Sequence, residues 1–447
     1  VVRVPQPPGR PSVVRRAAAT AALTARAPVE ARFPFRSPAK IDRAQRLRLR
    51  AVVRHAHEHV PYYRETFRRL GLTPGDITTA ADLAQFPLLA RDDLQRDPEY
   101  FVSDAQPLEA HVPLRTSGST GEPIVFYRDR SSLFQRLLGF QRMEPVLVAL
   151  TGKRWRRRHA LIAPISSSTS DVNKATRQGV LPSVRTVHRS FDLFAPITEL
   201  ATAVATFEPD VVTGYGSAIE ALFVELLRDD RPPHLPSVAV FAADGLAEPM
   251  RREITAAGVH VLSVYQAVET TTIGFECEAH AGHHLNVDVC PLRIVDDEGR
   301  DLPPETPGQV VVSNLVNRGT ILLNYRLGDI AARLPGRCEC GRSLPRLSGV
   351  EGRVNEWLRS ADGAQIHPQV LRSILRKIPG LLRYQLVQEA PGVVRIVAVA
   401  EPSADPETLG ARIEAETTDA AEALEVEVTL TDTLSRSAAG KVRGLQS

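Results

Sequence analysis

Arg115-Thr116-Ser117-Gly118-Ser119-Thr120-Gly121-Glu122-Pro123 is a hydroxyl- and glycine-rich loop between two segments that read as strands. Such a loop can wrap phosphate oxygens. Its glycines let the backbone approach an anion and turn N–H groups toward it, and its Ser and Thr hydroxyls add donors without bulk. It is not a Walker A loop, because no Gly-Lys-Ser/Thr follows at the spacing that motif needs. Taken alone, the cluster describes an ordinary surface turn equally well, so its meaning rests on the segments around it.

Downstream of the loop, short apolar runs alternate with longer amphipathic ones. Residues 160–163, 211–213, 238–242 and 261–265 read as buried strands, and 197–207, 218–227 and 248–257 as helices. That alternation implies an α/β layer with a largely parallel sheet. From Leu285 to Leu334 the pattern changes to strand-like runs at 292–295, 309–314 and 321–325, separated by turns such as Asp297-Glu298-Gly299, which suggests a smaller β subdomain. After Gly352-Arg353 it restarts as a helix over 368–377, strands around 382–388 and 393–400, a helix over 405–417 and a last strand near 426–431. This tail is an α+β unit of roughly 95 residues, within the usual domain range. Upstream, helix-like spacing runs from Ile41 to Glu65 and is broken by Pro61.

A chain of 447 residues exceeds one ordinary core and implies two or three folding units. Its formal charge of +3 is nearly balanced, so nothing marks a nucleic-acid or membrane-surface binder. No run of about 18 apolar residues is present to cross a membrane. Four cysteines do not make a disulfide framework in so large a chain, and a reducing cytoplasm suits them. Residues 1–38, rich in Pro, Arg and Ala, lack the core and cleavage site of a secretory signal and read as a flexible or loosely docked extension. Among basic residues arginine dominates, with lysine only at 40, 153, 174, 377 and 441.

Three later segments turn the loop into a constellation. They are Tyr265-Gln266-Ala267-Val268-Glu269, Tyr325-Arg326-Leu327-Gly328-Asp329 and Ser435-Arg436-Ser437-Ala438-Ala439-Gly440-Lys441. In this order they resemble the core motifs of adenylate-forming enzymes, the superfamily of acyl-CoA synthetases, adenylation domains and luciferases. The resemblance is closest to the phenylacetate-CoA ligase branch. It extends to a subgroup related to the synthetase that adenylylates a deazaflavin cofactor, at Tyr265 to Glu269, Cys277 to Asp288 and Cys338-Glu339-Cys340-Gly341-Arg342. The likeness covers the chain from about Ala39 onward. It implies an α/β fold with a large multi-layer N-terminal ATP- and acyl-binding domain carrying a β subdomain (39–351) and a small mobile α+β C-terminal domain (352–447).

The resemblance also implies roles. Thr116, Ser117, Gly118, Ser119, Thr120 and Gly121 would cradle the β- and γ-phosphates of ATP, with Glu122 where many relatives have lysine. Glu269 matches the acidic residue that helps hold Mg²⁺, a hard cation suited to carboxylate oxygen. Tyr265 resembles the aromatic packed against adenine, and Asp329 the acceptor of the ribose hydroxyls. Lys441 matches the lysine that the C-terminal domain delivers to the α-phosphate before swinging away. The matching hinge is Gly352-Arg353-Val354-Asn355-Glu356, in which Arg353 is retained and Asn355 replaces the usual Asp. Gly214 and Tyr215 resemble the turn that lines the acyl site of aryl-CoA ligases. Phe126 follows the phosphate loop, and flat walls of this kind suit a planar acid.

The cysteines form a second constellation. Cys277 and His280 stand in one half, Cys338 and Cys340 in the other, and three thiolates with an imidazole would complete a tetrahedral Zn²⁺ site that staples the β subdomain. His284 is an alternative fourth ligand, and Cys290 reads as core packing.

The expected activity is AMP-forming: a carboxylic acid, aromatic by class, reacts with Mg-ATP to give an acyl-adenylate, and coenzyme A displaces AMP. Rival readings are acyl transfer to an amine or carrier-protein thiol, adenylylation of a hydroxyl, or a non-catalytic nucleotide-binding scaffold. The expected partners are therefore small molecules, with neither nucleic acid nor membrane, and a homodimer is left open.

Overall fold

The computed structural model describes residues 11–446 apart from 116–123, 165–167, 184, 229–233, 271, 351, 354–357, 363–364, 367–370, 372–373, 376–377, 402–403, 419–423 and 435–444. The chain opens with helices α1 (Val13–Arg32), α2 (Pro38–His59), α3 (Pro61–Leu70) and α4 (Arg91–Arg96). Pro61 starts α3 and ends α2 at Val60, since proline suits a first helical turn but cannot continue a preceding one. Gly71 closes α3 with φ +65°, a left-handed cap that glycine adopts freely.

The hairpin β1 (Val112–Arg115) and β2 (Val125–Arg128) brackets the glycine-rich loop. Helices α5 (Arg130–Phe140) and α6 (Glu144–Thr151) follow it. The chain then alternates through β3 (Arg157–Ala163), α7 (Ser168–Gln178), β4 (Thr186–Asp192), α8 (Ile197–Phe207), β5 (Val211–Tyr215), α9 (Gly216–Leu226), β6 (Val238–Ala242), α10 (Glu248–Ala256) and β7 (His260–Gln266). Strands β4, β3, β5, β6 and β7 are neighbours in that order and all parallel. Their apolar side chains on one face pack on α8, α9 and α10 in a core that includes Ile162, Val212, Leu222, Phe223 and Ile254.

Beyond β7 the sheet turns antiparallel through β8 (Thr272–Glu276) and β9 (His283–Leu285). A second sheet joins β10 (Leu292–Val295), β11 (Gly308–Val312) and β12 (Tyr325–Ala331). Strands β13 (Arg333–Leu334) and β14 (Arg346–Leu347) return to the first sheet, making nine strands, and β15 (Gly352–Arg353) completes the second. The tail holds β16 (Leu358–Arg359), β17 (Gln365–Ile366), β18 (Leu381–Ala390), β19 (Val393–Ala400), α11 (Pro406–Thr418), β20 (Glu425–Leu430) and β21 (Leu445–Gln446). Its own core gathers Leu371, Leu386, Ile396, Leu409 and Ile413.

Two sequence expectations change. Residues 13–38 are not a loose extension. Helix α1 packs on α5, with Arg16 donating to the Val180 carbonyl at 2.8 and 3.1 Å and buried Glu30 paired with Arg142 at 2.9 Å. Alanine and arginine are strong helix formers, so the composition that resembled a linker also serves a docked helix. The run 321–325 is not a strand; pairing begins at Tyr325. Ile321, Leu322 and Leu323 are buried in an irregular segment whose amides reach other elements, Ile321 N to Phe101 O and Leu323 N to Tyr63 Oη. Their apolarity reports burial rather than a sheet.

Candidate active site and metal centre

Ligands of open α/β sheets bind beyond the carboxyl ends of the parallel strands, and the motif residues collect there. Tyr265 lies at the end of β7, and its hydroxyl donates to Asp329 Oδ2 at 2.7 Å across the two sheets. Both residues are buried. Asp329 sits in β12, after Gly328 with φ +85°, and pairs in register with Arg353 of β15. The proposed ribose acceptor and the proposed hinge are thus adjacent across one ladder. Glu269 follows in the turn after β7, half-buried, with its backbone carbonyl accepting from Asn314 Nδ2 at 3.3 Å. The structure therefore brings Tyr265, Glu269, Asp329 and the backbone of Arg353 to one end of the sheets. Thr116, Ser117, Gly118, Ser119, Thr120, Gly121 and Lys441 lie outside the described residues, as do Asn355 and the side chain of Arg353. The flanking hairpin nonetheless places both ends of the loop, Arg115 and Val125 being direct partners.

The residues expected to wall the acid pocket are not brought together. Phe126 is 2% exposed in the core shared with Ile124, Tyr265 and Leu315, whereas Tyr215 packs in the separate core under α8 and α9. Both are buried in packed cores. A Cβ at Gly214 would stand 3.2 Å from the Ile162 carbonyl oxygen, a tight contact. The next glycine, Gly216, is more constrained: a Cβ would meet Gly245 O at 2.3 Å.

Three arginines that sequence reasoning passed over are buried near this end. Arg128, on β2, donates to the Val268 carbonyl at 2.7 Å. Arg136, on α5, reaches Asn173 Oδ1 of α7 at 3.2 Å and Gln266 Oε1 of β7 at 3.5 Å. Burial lowers both guanidiniums to about 10, and in Arg136 the nearby charge of Arg128 adds to it. Arg142 differs. Asp288 binds it at 2.6 and 2.8 Å, Glu30 at 2.9 Å and the Asn286 amide oxygen at 3.0 Å, and its guanidinium lies 4.1 Å from the Phe33 ring centroid. In a chain so rich in arginine nothing local distinguishes these three.

At the far side of the nine-stranded sheet, Cys277, His284, Cys338 and Cys340 converge, one ligand atom from each lying within 4.8 Å of every other. Cys277 and Cys338 Sγ atoms are 3.8 Å apart, and Cys340 Sγ lies 3.2 Å from His284 Nε2. Tetrahedral Zn–S bonds of about 2.3 Å require sulfur atoms roughly 3.8 Å apart, so the spacing fits the ion. Burial pushes the Cys277 thiol up to about 12 and His284 down to about 4, which leaves the imidazole neutral. His280 is not in the cluster. It has φ +52° in the turn after Cys277, and its ring faces Arg251 at 3.3 Å and Glu276 at 3.7 Å. The β9 ladder, with His284 opposite Phe275, carries the second histidine back over the cysteines instead.

No family model matches the chain. It is 27% identical over 358 residues to a phenylacetate-coenzyme A ligase of Aromatoleum evansii, covering 76% of each protein. It is 26% identical over 372 residues to the phenylacetate-coenzyme A ligase of Escherichia coli strain K12, covering 78% of this chain and 80% of that one. Among solved structures, 2-hydroxyisobutyryl-CoA ligase in its postadenylation state superposes with a TM-score of 0.71 at 18% identity, over 91% of this chain and 90% of the other. No described helix is long and apolar enough to cross a membrane.

Proposed function

From a chain that belongs to the adenylate-forming superfamily, on its phenylacetate-CoA ligase branch, we propose an AMP-forming ligase that joins a carboxylic acid to coenzyme A. The observation that carries the reading is the Tyr265–Asp329 hydrogen bond, which joins two motifs 64 residues apart at the ligand-binding end of the sheet beside Glu269. In the first step an acid oxygen attacks the α-phosphorus of ATP, pyrophosphate leaves, and an acyl-adenylate forms. In the second the coenzyme A sulfur attacks the acyl carbon, AMP leaves, and the thiol proton passes to solvent.

The assigned residues divide this work. Asp329, oriented by Tyr265, receives the ribose hydroxyls. The loop 116–121 holds the outer phosphates, and Lys441 meets the charge that grows on the α-phosphate. Glu269 would hold Mg²⁺, which supplies charge neutralisation on phosphoryl oxygens. The substrates are thus small molecules, and the setting is the cytoplasm.

Pyrophosphate exchange into ATP across a panel of aryl, heteroaryl and alkyl acids, followed by coenzyme A addition, tests the reading. Exchange with one acid class and thioester on adding coenzyme A are expected. Asp329→Ala should raise the ATP KM by about 10-fold or more, the loss of a charge-assisted pair of hydrogen bonds. Exchange that is absent with every acid would remove the activity.

The Cys277, His284, Cys338 and Cys340 cluster is proposed as a structural Zn²⁺ centre that ties β8 and β9 to the 338–341 loop. Metal analysis of the purified protein should return about one zinc per chain, the content of a single closed site. Cys340→Ser should drop that content sharply and lower the melting temperature, whereas His280→Ala should change neither. A fully folded, zinc-free native protein would sink the centre.

A further inference from the structure

The fold shows what it builds when an arginine is purely structural: Arg142 has two carboxylates and an amide around it. Arg136 is buried almost as deeply, at 9% exposure, and no described carboxylate pairs with it. Its partners are two neutral amides, and its Nε has no hydrogen-bond partner among the described residues. The guanidinium stands 4.7 Å from the Phe140 ring centroid, which offers some compensation. Buried Arg128 adds a second positive charge nearby, felt by Arg136 as repulsion. A buried cation with no carboxylate partner is costly; Asp129 and Glu269 offset the charge of Arg128, whereas no described carboxylate does so for Arg136.

Location narrows which anion. Successive residues at the end of β7 serve different neighbours: Tyr265 turns to Asp329, and Gln266 turns to Arg136. Asn173 ties Arg136 to α7, whose Arg177 lies against His188 of β4 at 3.2 Å, so the helix runs along the β3 and β4 side of the sheet. Arg136 therefore stands between α7 and the end of β7, bonded to the residue next to Tyr265. Arg128 is the one of the pair beside Glu269, whose charge it senses, and beside the end of the phosphate loop.

We infer that Arg136 selects the acid: the substrate carries a second carboxylate, which the buried guanidinium grips while the first carboxylate is adenylated. Asn173 and Gln266 orient the fork of N–H donors, and a bidentate Arg–carboxylate pair completes its shell. An acid without the second charge leaves the cation unpaired and is rejected, as sites built around buried polar groups reject analogues that lack the partner. The inference rests on the ligase reading for its chemistry and on Arg136 alone for its specificity.

The test compares matched acids: benzoate with terephthalate, phenylacetate with phenylenediacetate, and butyrate with succinate. Pyrophosphate exchange and calorimetric binding are both measured for the native protein, Arg136→Met and Arg136→Lys. The native protein should prefer the diacid of at least one pair by about 100-fold in kcat/KM. Arg136→Met should erase that preference through the acid KM, with the ATP KM unchanged. Arg136→Lys keeps a charge but loses the fork, so it should retain part of the preference, and it stands in if the Met variant does not fold.

Native protein that treats monoacid and diacid alike in every pair, or binds neither, overturns the inference. So does Arg136→Met raising the ATP KM or slowing all acids equally, which would place the arginine on the phosphates. Diacid binding that depends on Arg136 without any exchange would leave the specificity site standing and refute the ligase reading instead.

Discussion

Lys441→Ala is expected to cut pyrophosphate exchange by about 10²–10³-fold or more, the loss seen when one preorganised stabiliser of transition-state charge is removed. The same variant should convert a supplied acyl-adenylate and coenzyme A to thioester at close to the native rate. The asymmetry follows from the charge each step creates. In adenylation, negative charge grows on the α-phosphoryl oxygens as pyrophosphate departs, and an ammonium there lowers the barrier. In thioester formation the phosphoryl group leaves as AMP from an acyl carbon, and a tail that has rotated away has no part in it. Lys441 stands in a tail of small residues, Ser437-Ala438-Ala439-Gly440, that lets a lysine approach a phosphate closely. Equal loss in both half-reactions would remove the alternation of the C-terminal domain from the mechanism while leaving the active-site assignment intact.

Asp288→Ala should cost about 3–5 kcal/mol of stability, because it strips a buried charge network of its central anion. Asp288 is fully buried and holds Arg142 by both carboxylate oxygens and Arg48 at 2.5 Å. Removing it leaves Arg142 with Glu30 and the Asn286 amide and takes from Arg48 its one carboxylate among the described residues, and the network ties α1, α2 and the chain after β9 together. Denaturant unfolding followed by tryptophan and circular dichroism should show a lower midpoint. A loss below about 1 kcal/mol would mean that water replaces the carboxylate. Burial opposes the charge of Asp288, but Arg142 and Arg48 outweigh it and hold the carboxyl below its ordinary value of 3.8. A lowered folded value means that this stabilisation is complete above that ordinary value and fades as pH falls through the folded one.

Local pattern carried much of the architecture. The spans expected at 197–207, 238–242 and 292–295 coincide with α8, β6 and β10: the first has helical spacing of apolar residues, and the other two are short runs closed off by proline or turn residues, whose length suits strands. The ladder between Asp329 and Arg353 was not legible in this way, yet the motifs that meet there were. Where the reading failed, the residue types were ambiguous. Ile321 to Leu323 are buried without strand pairing, and the Ala- and Arg-rich start forms a docked helix. Phe126 and Tyr215 look like ligand walls in sequence because aromatics serve cores and sites equally, and only their neighbours tell which. His280 and His284 are four residues apart in one turn-and-strand segment, and spacing does not say which ring turns toward the sulfur atoms.

Periodicity and residues close along the chain already implied the alternating α/β layer, the separate α+β tail and the motif set. That Tyr265 holds Asp329, that His284 joins the three cysteines, and that Arg142 has paired carboxylates while Arg136 has none among the described residues comes only from the packing. Each of those facts depends on which side chains meet across tens to hundreds of residues. An arginine has the same letter in either setting. Its charge takes its role from the groups the fold places around it, two carboxylates at Arg142 and two neutral amides at Arg136.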